Sequence, residues 1–236
     1  QADILKSFSV MKGEMIMAQL FTLHEQTPTY VKLQKKTHEL DIVVEISTEY
    51  RPELRPNTTI HFLDHMIDTL SWGMCMSIGC TVVSGKWRST HTIAEDVAIT
   101  LGAALKKLFY HKLNTEGINI NGWGLFGLDE ALVRAMVSME GRRNTFITYA
   151  DKVRYFEMAE DLQTADLEGF MEGFFQGFPG TLHLDFLQSR DAHHAWESAF
   201  HALGEALRMA YTSNPWRQAS HNPYYAEEGI ADASLV

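Results

Sequence analysis

His91-Thr-Ile-Ala-Glu95-Asp-Val-Ala-Ile-Thr-Leu101-Gly102-Ala-Ala104-Leu105 and His193-His194-Ala-Trp-Glu197-Ser-Ala-Phe-His-Ala-Leu203-Gly204-Glu-Ala206-Leu207 decide how this chain is read. Laid on each other, they share His, Glu, Leu, Gly, Ala and Leu at identical offsets. Two copies of one structural unit follow, each opening a helix with a potential metal-binding start. The copies differ at one telling place: the second has His193-His194 where the first has His91-Thr92.

The repeat divides the 236 residues into an N-terminal extension (1–30), a first half (31–118), a second half (119–212) and a tail (213–236). Apolar residues make up 45%, enough for an ordinary core. A net charge of -10 argues against nucleic acid as partner. No apolar run is long enough to span a bilayer. The chain opens on Gln1, which leaves room for a removed targeting peptide. A soluble intracellular protein is expected, in the cytoplasm or, if such a peptide was removed, in a plastid or mitochondrion. Cys75 and Cys80 lack the spacing of a zinc or redox pair and read as two buried thiols.

Coarse patterning fills in the halves. Residues 41–47 alternate and are rich in β-branched types, which predicts a strand. Residues 61–70 carry helical spacing, and 74–83 form an apolar, strand-like run. Ser89 and Thr90 are good N-cap types for a helix opening at His91. That helix should run to about His111, with Gly117 closing the half. In the second half, 128–136 reads as a helix or strand edge, and 144–149 and 153–158 as strands. Residues 166–178 read as a helix stopped by Pro179, 181–187 as a strand and 193–211 as a second long helix. The tail from Ser213 reads as a loop or arm.

In H-x-x-x-E on a helix, positions i and i+4 share a face, so His91/Glu95 and His193/Glu197 can each share a divalent ion. Mixed imidazole and carboxylate donors suit a borderline transition metal. His194 lies about 100° further round the helix than His193 and points elsewhere. Alone, His65 in Phe62-Leu-Asp-His65-Met reads as a core histidine.

Taken in order, Phe62-Leu-Asp-His65-Met, His91…Glu95-Asp96, Leu128-Asp-Glu130-Ala-Leu, Gly141-Arg142, Thr181-Leu-His183 and Asp191-Ala-His-His194-x-x-Glu197-x-x-Phe200 resemble the imidazoleglycerol-phosphate dehydratase family, over about residues 35–212. The resemblance implies an α+β fold of two similar ββαβ-type halves, each a small mixed sheet with helices on one face. It implies a homo-oligomer, up to a large shell or a subunit of a larger assembly, with metals at subunit interfaces. It implies Mn(II) or another divalent metal acting as Lewis acid while a carboxylate moves a carbon-bound proton.

Residue by residue, the resemblance implies one metal site from His65, His91, Glu95 and another subunit's His194. A second would use His193 and Glu197, with Thr92 and Gly173 where the family has imidazoles. At most one well-occupied metal per subunit is therefore expected. Glu39 matches the acid/base glutamate and Arg142 a phosphate-binding arginine. Glu197 joins Glu39 as a catalytic candidate. Other substrate positions are changed: Gly73 stands for a histidine, His201 for a lysine, and the C-terminal phosphate loop has no clear counterpart. These losses predict a divergent homologue that has lost full catalysis and serves as a structural or binding subunit. The alternatives are an active metal-dependent hydro-lyase of histidine biosynthesis and a different metal-dependent lyase or isomerase.

Overall fold

Strand alternation builds the first sheet. In β2 (Tyr30–Lys36) and β3 (Leu40–Ser47), Val31, Leu33, Leu40, Ile42, Val44 and Ile46 are buried, while Lys32, Gln34, Asp41 and Glu45 stay partly exposed on the other face. A computed structural model of the chain describes residues 21–85, 89–151 and 153–218. With β1 (Phe21–Gln26), β4 (Pro56–Asn57) and β5 (Ser77–Ser84), these strands form a five-stranded sheet ordered β1-β2-β3-β5-β4. A second sheet combines β6 (Asn121–Leu128), β7 (Ala131–Ser138), β8 (Asn144–Tyr149) and β11 (Thr181–Gln188) in the order β6-β7-β11-β8. Without β1, the two sheets have the same order and sense. Each has antiparallel pairs and one parallel edge, β4 on β5 and β8 on β11. A small hairpin of β9 (Met158–Ala159) and β10 (Leu162–Gln163) precedes the last third of the chain.

Among the described residues, four α-helices fill the space between the sheets. α1 (His61–Met74) and α2 (Thr90–Thr115) pack on the first sheet, α3 (Thr164–Gly177) and α4 (Ala192–Ala210) on the second. The two helix layers meet as crossed pairs, α1 on α4 and α2 on α3. One continuous apolar cluster joins both halves, from Val31 and Ile42 through Leu101 and Phe174 to Leu203 and Leu207. Burial of this surface is the main force holding the two repeats together.

The recurring glycines mark the crossings. A Cβ on Gly102 would stand 2.1 Å from the Phe174 carbonyl oxygen, and one on Gly177 would stand 2.2 Å from that of Ile99. At the other crossing, a Cβ on Gly204 would stand 2.8 Å from the Gly73 Cα, and one on Gly73 2.9 Å from the His201 carbonyl oxygen. The backbones touch, so both positions of each pair exclude any side chain.

The fold expected from the sequence is the fold observed, with local differences. The stretch 1–30 is not wholly an appendage: residues 21–26 form β1 and pair with β2, while 1–20 lie outside the described residues. Residues 128–136 are neither helix nor edge but the turn and most of the second strand of the β6–β7 hairpin, with Asp129 at φ 48°. No six-residue strand occupies 153–158; Val153 makes an isolated bridge to Ser189 and β9 is two residues long. The thiols differ too, Cys75 being exposed at the left-handed end of α1 (φ 55°) and Cys80 buried.

Candidate metal centre

Both long inner helices start with the same device. Ser89 and Asp191 stand at the N-caps in extended backbone, and each side chain accepts from a backbone N–H three residues on, at Thr92 and His194. The next turns present His91 and Glu95 on α2 and His193 and Glu197 on α4 at i, i+4 spacing.

On α4, the crossing with α1 adds a third group. His65, His193 and Glu197 each turn a ligand atom into one space, all within 4.8 Å of one another. Glu197 Oε2 is 3.3 Å from His193 Nε2 and 3.6 Å from His65 Nε2. Two donors each about 2.1 Å from one ion stand about 3.0–3.4 Å apart, so Glu197 and His193 already have that spacing and His65 lies a few tenths of an ångström beyond it. Two imidazoles and a carboxylate suit Mn, Fe, Co, Ni or Zn. Phe62, centred 5.2 Å from the His193 ring, walls one side.

The turn between β9 and β10 holds this arrangement from behind. Glu160, at φ 53°, contacts His193 Nδ1 at 3.1 Å. Its neighbour Asp161 accepts from the His61 and Phe62 N–H groups at 2.9 and 3.0 Å, and so caps the helix that carries His65.

The corresponding place on α2 is different. His91 Nε2 is 3.6 Å from Glu95, and its Nδ1 is 3.4 Å from Asp166, a buried carboxylate that also accepts from the Thr90 hydroxyl at 2.6 Å. α3 offers no imidazole there: Gly169 faces the His91 ring, and a Cβ on Gly173 would collide with the Glu95 carbonyl at 2.8 Å.

The resemblance implies a set shared between chains, His65 with His91, Glu95 and another subunit's His194. Within one chain His65 belongs with His193 and Glu197, because α1 crosses α4 and not α2. His65 is also no core histidine, since its side chain is 42% exposed. His194 does point away from His193's partners. It turns to the β6–β7 turn, with Nδ1 3.0 Å from Glu130 and Nε2 3.6 Å from Asp129. The hydrogen bond to Glu130 outweighs partial burial and raises the His194 pKa.

The remaining candidates lie apart. Glu39 sits exposed in the turn between β2 and β3, its carbonyl accepting from the Gly85 N–H at 2.8 Å. That places it at the end of the sheet that leads toward α2. Arg142 is exposed in the β7–β8 loop, its carbonyl accepting from Thr181 Oγ1 at 3.0 Å. Thr181 begins β11 and His193 follows its far end, so Arg142 and His193 are separated by a strand of roughly 25 Å. His201 stacks on Phe126 at 4.1 Å, and burial lowers its pKa. Sequence reasoning passed over Glu160, Asp161 and Asp166, which carry no spacing signal and meet the histidines only through the crossings and the hairpin.

Comparison with known proteins agrees with this architecture. A family model described as imidazoleglycerol-phosphate dehydratase matches residues 58–207. The imidazoleglycerol-phosphate dehydratase of Chloroherpeton thalassium is 31% identical over 185 residues, covering 78% of this chain and 92% of that protein. That of Marinobacter nauticus is 33% identical over 183 residues, covering 76% and 88%. That of Neisseria gonorrhoeae is 32% identical over 194 residues, and the chain spans only 61% of that longer relative. A crystal structure of IGPD from Pyrococcus furiosus in complex with (S)-C348 superposes with a TM-score of 0.64 at 26% identity, covering 77% of this chain and 94% of that one. The Staphylococcus aureus imidazoleglycerol-phosphate dehydratase shares the fold, with a TM-score of 0.64 at 22% identity over 78% and 99% of the two chains. Sequence, crossed helices and paired sheets lead to one statement: the chain belongs to the imidazoleglycerol-phosphate dehydratase family.

Proposed function

We propose that the chain is a metal-dependent hydro-lyase that dehydrates imidazoleglycerol phosphate. The observation that carries this reading is the convergence of His65, His193 and Glu197 on one space. A divalent ion held by these three groups would supply Lewis-acid chemistry and keep positions open for substrate. His65 and His193 bind from two helices, so the α1–α4 crossing sets their separation. Glu197 adds negative charge that balances the cation. Phe62 shields one flank from water. Glu39 is proposed to move the carbon-bound proton and Arg142 to hold the phosphate by charge-assisted hydrogen bonds.

Glu39 and Arg142 stand away from the His65 group in a single chain. The reading therefore includes assembly, with a site completed between copies. Relatives at 31–33% identity named as dehydratases support an active enzyme over a structural subunit that has lost catalysis. The changed positions Thr92, Gly73 and Gly173 do not touch the His65 group. Among the described residues no helix is long and apolar enough to cross a membrane. The bacterial relatives support a cytoplasmic reading and lend nothing to a plastid or mitochondrial one.

The test is turnover of imidazoleglycerol phosphate by the Mn(II)-loaded protein. The wild type should turn over in the usual range of about 1–10³ s⁻¹. Both His65→Ala and Glu197→Gln should lower kcat at least a hundredfold. A wild type without turnover, or an active His65→Ala variant, overturns the proposal.

A further inference from the structure

Three histidines open the two inner helices, and each has the same nitrogen engaged by a carboxylate. Glu160 meets His193 Nδ1 at 3.1 Å, Asp166 meets His91 Nδ1 at 3.4 Å, and Glu130 meets His194 Nδ1 at 3.0 Å. The three carboxylates come from unrelated places: the β9–β10 turn, the first turn of α3 and the β6–β7 turn. Two of the turns need a left-handed residue to make the approach, Glu160 itself at φ 53° and Asp129, beside Glu130, at φ 48°. Asp166 is further fixed by the Thr90 hydroxyl at 2.6 Å, and Glu130 by the Arg190 N–H at 3.3 Å.

A carboxylate accepts, so the Nδ1 atom it meets must carry the hydrogen. In a neutral ring, Nε2 is then left with its lone pair. On His193 and His91 that lone pair faces another carboxylate, Glu197 at 3.3 Å and Glu95 at 3.6 Å. Two acceptors this close repel unless a proton or a metal ion lies between them. The orientation of the rings thus leaves a place where a metal ion can stand in for a proton.

We propose that Glu160 is a positioning residue that holds His193 as its Nδ1–H tautomer and commits Nε2 of that ring to ligation, while Asp166 turns the His91 ring the same way round. This deepens the metal-dependent reading and rests on it for the identity of the cation. Glu160 matters most for the complete group, because the same turn places Asp161 on the N-terminus of α1 and so ties His65 and His193 to one support. Orienting partners of this kind typically change metal affinity 10–100-fold.

The experiment uses the full chain with Mn(II) alone as probe, in wild type, Glu160→Ala and Glu160→Gln, with nitrogen NMR of ¹⁵N-histidine-labelled, metal-free protein in parallel. The wild type should show the Nδ1–H tautomer at His193. Glu160→Ala should bind Mn(II) about 10–100-fold more weakly, lose the single tautomer and keep its melting temperature. Glu160→Gln, which still offers an acceptor, should recover part of the affinity. An Nδ1–H tautomer that persists in Glu160→Ala overturns the proposal, as does equal Mn(II) affinity in a wild type that binds the ion. If wild type binds no Mn(II) yet its tautomer depends on Glu160, the positioning role stands and the metal-dependent reading falls.

Discussion

Lys107 illustrates how much one residue can hold in reserve. Its ammonium is buried on α2 with no hydrogen-bond partner among the described residues, and burial, helped by the neighbouring Lys106, pulls its pKa down to about 8. The folded pKa lies below the unfolded one, so folding opposes protonation. The penalty is fully present below pH 8 and fades as the pH rises toward 10.5. Lys107→Met should therefore stabilise the chain by up to about 3.5 kcal/mol at pH 7, since the pKa falls from 10.5 to about 8 and each pKa unit is about 1.4 kcal/mol. The gain should shrink toward pH 10, and chemical denaturation at both pH values checks it. A constant difference across that range would mean the lysine finds a partner in solution. Residues of this sort are illegible in sequence, because burial on a 26-residue helix follows from the sheet and helix around it. The same holds for His65: its neighbours in sequence gave a core position, whereas the crossing gave it His193 and Glu197.

At the scale of elements, periodicity carried the four helices and the strands β3, β5, β8 and β11. Among the strands it missed, with β1 and β2, was β6, Asn121-Gly-Trp-Gly-Leu-Phe-Gly-Leu128, whose glycines look like loop residues. The structure supplies the reason. A Cβ on Gly122 or Gly124 would stand 2.1 Å from the Ala206 or Ala202 carbonyl oxygen, so α4 lies directly on the strand backbone. The recurring Gly102 and Gly204 were visible as a repeat, but their role as contact points needs both helices in place. Gly102→Ala should cost about 3 kcal/mol or more, since the clash is with backbone rather than with a flexible side chain. Gly127→Ala, whose nearest neighbour is at 3.6 Å, should cost about 1 kcal/mol or less. Thermal denaturation of both variants tests the difference, and similar melting temperatures would contradict the close crossing.

For the whole molecule, the two pseudo-equivalent crossings predict unequal metal binding. The α1–α4 crossing supplies His65, His193 and Glu197 from one chain, while the α2–α3 crossing sets Gly169 against His91. One tightly bound Mn(II) per chain is expected, lost in His65→Ala and His193→Ala and kept in His91→Ala. Elemental analysis after gel filtration decides it; two ions per wild-type chain, or loss in His91→Ala alone, would reverse the assignment. The ligand types and their helical spacing were legible in the sequence, but the choice of partner helix was not, because both crossings obey the same repeat. The distance between Arg142 and His193 likewise depends on strand direction, which no local pattern reveals.

The crossed helix layers also bear on how such a chain can change over time. Each half covers its own sheet but leaves its helices bare until the other half arrives. If one half stood alone, it would need a twin, and both crossings would then be identical by symmetry, so any substitution would strike both centres at once. Joining the halves in one polypeptide breaks that constraint. Gly169 can replace a side chain at one crossing while His65 stays at the other, because the two positions are now separate codons. Covalent linkage thus turns a forced duplicate into two centres free to diverge.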